Sequence, residues 1–314
     1  MAFKDFISEV NEETKVILSN DFKLNIVDAN ILPGVDDQGI TYENFDNKTK
    51  GVKTISTCVL HIDLRQSTKL NLEESPAVLA KLYSCFIRGV IKCAEYYDGK
   101  VRNIAGDRVM VLFECSKCFE NAVSAAILLH TFSSYILNKH FKNSSIACGI
   151  GIDYGKMLAT KVGTIKQGTE NPTSKSIVWL GYPANIASKL ADIANKDFSR
   201  PIINVGKKYP WKEEWDWSEK EIDEFFDGLE MKYSYSIVAQ FKEPYILSFF
   251  KGMRQTNYPA ILMTKRVFDG FKKECPSDDS IVKGFWKPRM ISISGYNGFI
   301  YCGSVYFTFD EQLK

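Results

Sequence analysis

The 314-residue chain lacks most of the features that would announce a partner directly. It has no excess of charge of one sign. Forty basic residues face thirty-eight acidic ones, a net charge of +2, so neither a polybasic nucleic-acid footprint nor an acidic tail is present. It has no long hydrophobic run either: Arg88 and Lys92 break the best candidate before the ~18 uninterrupted apolar residues of a membrane span are reached. No charged-then-apolar leader precedes the eight cysteines (Cys58, Cys85, Cys93, Cys115, Cys118, Cys148, Cys275 and Cys302), and their spacing forms no disulfide framework. Together these absences predict reduced thiols in a soluble, cytoplasmic protein. Cys115-x-x-Cys118 is half of a zinc signature without its second half, and reads as a helix-entry loop with two half-buried thiols. There is no internal repeat and no low-complexity tract.

An apolar share of 45% is enough for a packed core, and hydrophobic spacing divides the chain. Residues 1–53 read as an amphipathic helix (Phe3, Phe6, Ile7, Val10, Val16) and a polar arm, a docking or dimer-bracing element. Residues 54–205 read as a core. Thr54–Asp63 is a buried strand, and Ser75-Pro76 starts a helix striped by Leu79, Leu82, Phe86, Val90, Cys93 and Tyr97. Two short strands flank Gly106-Asp107, a second helix runs from about Cys118 to Phe141, and strands follow at Ser145–Ile152, Met157–Val162 and Ser176–Leu180. Tyr182–Asn195 returns to helical spacing, and Pro201–Val205 is another strand. Residues 206–258 are an insertion, rich in Trp but too acidic (Glu213, Glu214, Asp216, Glu219, Glu221) to serve as a phosphate-binding surface. Residues 259–314 complete the core with a helix at Thr264–Glu274 and strands near Met290–Ser294 and Gly298–Phe309. The order β-α-β-β-α-β predicts an α+β, ferredoxin-like (split βαβ) fold: two helices cover one face of an antiparallel sheet and leave the other free for a ligand or partner.

In such a fold Asp63, at the end of the first strand, meets Asp107, at the tip of the following hairpin. Two carboxylates with no basic partner repel each other, and Mg²⁺ is the usual cellular remedy because it takes oxygen ligands and leaves positions for phosphate. His61, two residues before Asp63, points to the same face and reads as a core histidine; His130 and His140, on a helix with no partner motif, read as structural.

The segments Ile62-Asp63-Leu64-Arg65-Gln66-Ser67-Thr68 and Ala105-Gly106-Asp107-Arg108-Val109 resemble the two metal-aspartate motifs of class III adenylyl and guanylyl cyclases. Gly149-Ile150-Gly151-Ile152-Asp153-Tyr154-Gly155 is similar to the family's strand-and-turn segment, and Gly181-Tyr182-Pro183-Ala184-Asn185-Ile186-Ala187-Ser188-Lys189-Leu190 to its catalytic helix. The resemblance implies a head-to-tail homodimer with composite sites, a nucleoside triphosphate substrate, and two Mg²⁺ or Mn²⁺ ions per site held by Asp63, Asp107 and the Leu64 carbonyl. It implies that the turn Arg65, Gln66, Ser67, Thr68 faces the triphosphate, and that Asn185 and Lys189 act catalytically from the partner subunit. Lys189 stands where the family has arginine, keeping the charge but not the bidentate fork. The arginine that the family carries before its Gly-rich segment falls on Gly149, and its phosphate-binding lysine has no match around Gly295-Tyr296-Asn297-Gly298, with Arg108 or Lys156 as substitutes.

The base-reading positions of adenylyl cyclases fall on Asn103 and Val178, so the charged pair that reads a purine edge is gone. Unpaired buried polar groups cost ~1–3 kcal/mol each, which disfavours adenine. The whole chain is similar to the pyrimidine cyclases of bacterial Pycsar anti-phage systems. That resemblance implies CTP or UTP converted to cyclic CMP or UMP, which switches on a separate effector protein; no nucleic acid or membrane is expected as a partner. A purine cyclase and a catalytically silent nucleotide-sensing dimer remain as alternatives.

Overall fold

The computed structural model describes residues 2–141, 145–166, 169–233 and 237–308, so the expected strand end at Phe309 and the rest of 309–314 lie outside the described residues. Two compact units emerge: Met1–Asn195 with Pro259–Lys314, and Lys196–Tyr258.

The first unit begins with α1 (Phe3–Ile17), β1 (Lys23–Asp28), β2 (Thr49–Leu64), α2 (Ser67–Glu73), α3 (Pro76–Tyr96), β3 (Gly99–Ala105) and β4 (Arg108–Phe113). It continues through α4 (Cys118–Thr131), a π-helical stretch (Phe132–Leu137), α5 (Asn138–His140), β5 (Cys148–Lys166), β6 (Thr169–Leu180) and α6 (Tyr182–Ile193). The second unit holds β7 (Asp197–Lys207), β8 (Asp216–Glu221), α7 (Ile222–Asp227), β9 (Leu229–Tyr233), β10 (Ile237–Phe241) and β11 (Ile246–Asn257). The chain then returns to the first unit with β12 (Ile261–Thr264), α8 (Lys265–Glu274), α9 (Asp279–Val282), β13 (Lys287–Met290) and β14 (Phe299–Gly303).

Local chemistry sets the ends of these elements. The Ser75 hydroxyl accepts from the Val78 amide, and Pro76 opens α3, where its missing N–H costs nothing. The β3–β4 hairpin turns through Gly106-Asp107 alone, with Gly106 at φ 64°, as the first central position of a tight hairpin turn demands. That turn places Asp107 at the hairpin tip.

Among the described residues the main sheet has the order β13-β14-β12-β5-β2-β4-β3, with β1 also paired to β2 and β6 to β5. The stretch β5-β2-β4-β3 is antiparallel throughout, the split βαβ core expected from the pattern. On one face Leu60, Ile62 and Ile150 pack against Phe86 and Val90 of α3, Ala126 and Leu129 of α4, and Phe271 of α8. The opposite face is not left free. Ile55, Val59, Met110 and Met157 on that face pack with Ala187 of α6 and with Leu32 and Ile40 of the N-terminal arm.

Several expectations change. The arm carries β1, which pairs in parallel with Thr49–Thr54, while α1 buries none of its side chains. The two strands expected at 145–152 and 157–162 form one strand, β5, because Gly155 continues it extended at φ 159°. Residues 291–294 are not a strand; only Ile293 bridges, to Tyr296. The insertion begins at 196, not 206, because β7 lies between β8 and β11 in a separate three-stranded sheet. Within that unit Phe225, Phe241 and Phe249 form a mutual cluster with centroids 5.1–5.7 Å apart, and Arg254 bridges Glu219 and Glu221 at 2.7 Å each.

Candidate functional site

The two predicted carboxylates come to one locality. Asp63 closes β2 opposite Gly149, and Asp107 stands at the neighbouring hairpin tip. Both act electrostatically on the same two groups. Burial raises the Tyr83 hydroxyl, with Asp107 and Asp63 adding to the shift; burial pushes the Cys148 thiol up to about 12, with the same two carboxylates contributing.

Their surroundings differ. Asp63 has basic partners, contrary to expectation: Arg108 lies 3.1 Å and Arg65 3.4 Å from its Oδ2. Asp107 has an inner oxygen, Oδ2, that is buried without a hydrogen-bond partner. Arg108 reaches on to α6, donating to the Ser188 hydroxyl at 2.9 Å and pairing with Asp192. Burial alone would lower this guanidinium, but Asp63 and Asp192 more than offset it and raise its pKa.

Arg65 is not presented to a triphosphate. Its backbone N–H donates to the Ala147 carbonyl at 2.8 Å, and its buried guanidinium donates to the carbonyls of Ala191 and Asp192 at the end of α6. Gly149 makes this possible, since a Cβ there would coincide with the guanidinium and stand 2.6 Å from the Ala191 oxygen. A Cβ on Gly151 would run into the Ala187 carbonyl. The first two glycines of the Gly-rich segment are therefore a seat for α6 rather than a turn. Gln66 takes the left-handed conformation (φ 56°) and starts α2, at whose first turn lie Ser67 and Thr68; no side chain caps that helix.

A cleft of about 440 Å³ opens farther along the same sheet face. It brings together Asn103 of β3, Val178 of β6 and Asn185 of α6, with His61, Arg102, Trp179 and Ser188 also in its lining. Burial, aided by the Arg108 charge, lowers the His61 imidazole to about 4, so it is neutral at physiological pH, and its Nδ1 is buried without a partner. Lys189 is exposed one helical turn after Asn185 and donates to the Ser294 carbonyl at 2.8 Å. Lys156 pairs with Asp28 of the arm at 2.9 Å.

No family model matches the chain. A curated uridylate cyclase from Gulbenkiania mobilis is 29% identical over 191 residues, 56% of this chain and 68% of that protein. A curated cytidylate cyclase from Staphylococcus aureus is 33% identical over 131 residues, 38% of this chain but only 30% of its own length. Among solved structures, a bacterial light-regulated adenylyl cyclase aligns with a TM-score of 0.50 at 13% identity, over 83% of this chain and 56% of that one. The fold is that of a class III nucleotidyl cyclase.

The sequence motifs pointed to Asn103, Val178 and Asn185, which the fold brings to one cleft, and to Asp63 and Asp107, which it brings to one locality; they gave no sign of Arg102 and Trp179 in the cleft lining. Arg102 is the extra residue of a bulge: Val101 faces Val111 and Asn103 faces Met110, leaving it no partner on β4. No residue type in that strand marks a bulge, so spacing alone could not have found it. The Asp63–Arg108–Asp192 bridge was also missed, because its two links join groups 45 and 84 residues apart. Among the described residues no helix is long and apolar enough to cross a membrane.

Proposed function

We propose that the chain is a pyrimidine nucleotidyl cyclase, converting CTP or UTP to the 3′,5′-cyclic monophosphate and pyrophosphate in a homodimer whose sites are shared between subunits. The observation that carries the reading is Asp107: an inner carboxylate oxygen buried without a partner beside a second carboxylate is the arrangement a divalent cation resolves. Asp63, Asp107 and the Leu64 carbonyl would hold Mg²⁺ or Mn²⁺. Among the described residues no three His, Cys, Asp or Glu side chains cluster, so coordination would be completed by phosphate oxygens. Bound cations supply neutralisation of the triphosphate and a more acidic ribose 3′-hydroxyl.

The chain's own residues position and stabilise. Gln66, Ser67 and Thr68 turn the uncapped start of α2 toward the phosphates. Asn185, in the cleft, orients the ribose, and Lys189 places a positive charge one turn further along the same helix face. Asn103 contacts the base, its amide able both to donate and to accept, and the uncharged Val178 replaces the carboxylate an adenine would need. The cyclic product would act as a second messenger for a separate effector protein.

Purified protein incubated with each of the four nucleoside triphosphates and Mn²⁺ tests the reading. A cyclic pyrimidine nucleotide is expected, and product from ATP or GTP alone overturns it. Sharing of sites is tested by mixing Asp63→Asn with Asn185→Ala. Each is inactive or weak alone, and the mixture regains activity at one of the two sites of a heterodimer. Exchange of subunits without recovery removes the composite site.

A further inference from the structure

The cleft residue that motif spacing did not reach carries information on the base. The bulge in β3 turns Arg102 out of register with β4, and its guanidinium carbon stands 5.6 Å from the Trp179 ring centroid, inside the cleft lining. Bulges re-aim side chains at functional surfaces, and an aromatic face holds a guanidinium in one orientation. The Arg102 Nε is buried and has no hydrogen-bond partner. Glu114 acts on this group at a distance, and no carboxylate is part of the cleft lining among the described residues. The only fixed charge in the lining is therefore a donor without acceptor capacity.

Uracil and cytosine differ in what they ask of such a site. Uracil offers carbonyl oxygens on both sides of N3–H, and each can accept from a guanidinium. Cytosine places an amino group at position 4, a pure donor that needs an acceptor. Among the described residues the side-chain acceptors of the lining are the amide oxygens of Asn103 and Asn185, the His61 ring and the Ser188 hydroxyl, which already accepts one bond from Arg108. An amino group left facing Arg102 would be unpaired in a partly dry cleft, the situation that separates close analogues most strongly.

We infer that Arg102, held over Trp179 by the β3 bulge, reads the 4-carbonyl of uracil, the position where cytosine has its amino group, and makes this chain selective for UTP over CTP. The inference rests on the reading of the cleft as the base pocket. The test is kcat/KM of the full-length protein for UTP, CTP, ATP and GTP with Mn²⁺, for the parent chain, Arg102→Met and Arg102→Glu, with thermal melting of each. UTP is expected to exceed CTP by about tenfold or more. Arg102→Met, which keeps the length of the stem, lowers the UTP value by about tenfold while leaving CTP within about threefold; Arg102→Glu, which brings an acceptor, shifts the preference toward CTP. A parent that prefers CTP, or an Arg102→Met that weakens both substrates equally, overturns the selectivity and leaves the pyrimidine cyclase intact. Product from ATP or GTP alone overturns the pyrimidine reading on which the inference rests. If no nucleotide turns over, the ratio of the UTP and CTP dissociation constants, measured calorimetrically with Mn²⁺, decides the selectivity by the same criteria.

Discussion

Around its two carboxylates the chain is rich in ion pairs, with Asp63 between two guanidinium groups that also tie it to α6; in the cleft, Arg102 and His61 each have a buried nitrogen without a partner among the described residues. Asp63 is tied to two guanidinium groups within the chain, although the neighbouring Asp107 Oδ2 and the Arg65 Nε are buried without a partner, as are the cleft nitrogens. The difference teaches that Asp63 has a structural task beside the chemical one proposed for it, since it helps to hold Arg65 and Arg108 against α6, while no such bond is seen for Asp107 among the described residues. A cation reaching Asp63 must compete with Arg108, and Asp192 is positioned to keep that arginine once it is displaced.

The sharpest way to break this contrast is Asp107→Asn. Turnover should fall on the order of 1,000-fold or more, while the melting temperature stays within about 2 °C, because a buried unpaired oxygen is exchanged for a neutral amide. A large loss of stability would show that Asp107 is a structural group after all. Gly151→Val comes next. A branched side chain where a single Cβ already meets the Ala187 carbonyl should cost about 3 kcal/mol or more in urea unfolding and detach α6 from β5. A tolerated valine would deny that these glycines seat the helix. Asp63→Asn should abolish turnover as Asp107→Asn does, yet also lower stability by about 1–3 kcal/mol, since the buried Arg65 loses its carboxylate. Equal stability of the two asparagine variants would erase the distinction between the two carboxylates.

The smallest effect lies elsewhere. Burial lowers the His130 imidazole below its ordinary value, although its contact with the Val305 carbonyl at 2.8 Å partly counters this. The folded state thus binds its proton less readily than the unfolded chain, whose histidine titrates near 6.5. The contribution is fully present above that value and erodes as the pH falls below it. Unfolding of the parent at pH 7.5 and 5.5 should show the loss, and His130→Gln should show less of it.

Much of the fold was legible because its evidence is local. The serine-proline start of α3, the stripe of Leu82, Phe86 and Val90, and the Gly106-Asp107 tip each sit within a few residues of what they determine. That Asp63 ends a strand beside the hairpin whose tip carries Asp107 was legible for the same reason. What escaped depends on distant pairing. Gly149 and Gly151 look like turn residues until Arg65 and α6 are laid over them, and the polar arm shows no sign that Leu32 and Ile40 will close one side of the sheet. The Arg102 bulge is a matter of register between two strands, which residue types in either strand do not encode.

The neck between the two units has a consequence of its own. The Asn195 amide donates to the Pro259 carbonyl at 3.0 Å, and the Tyr258 amide to the Lys196 carbonyl at 3.1 Å, so sixty-odd residues leave and re-enter the chain at a single crossing. All strands of the main sheet lie outside that excursion. The crossing works as a socket: a module of another size or shape could be spliced between Asn195 and Pro259 with the sheet pairings unaltered, leaving this stretch of the gene free to diversify.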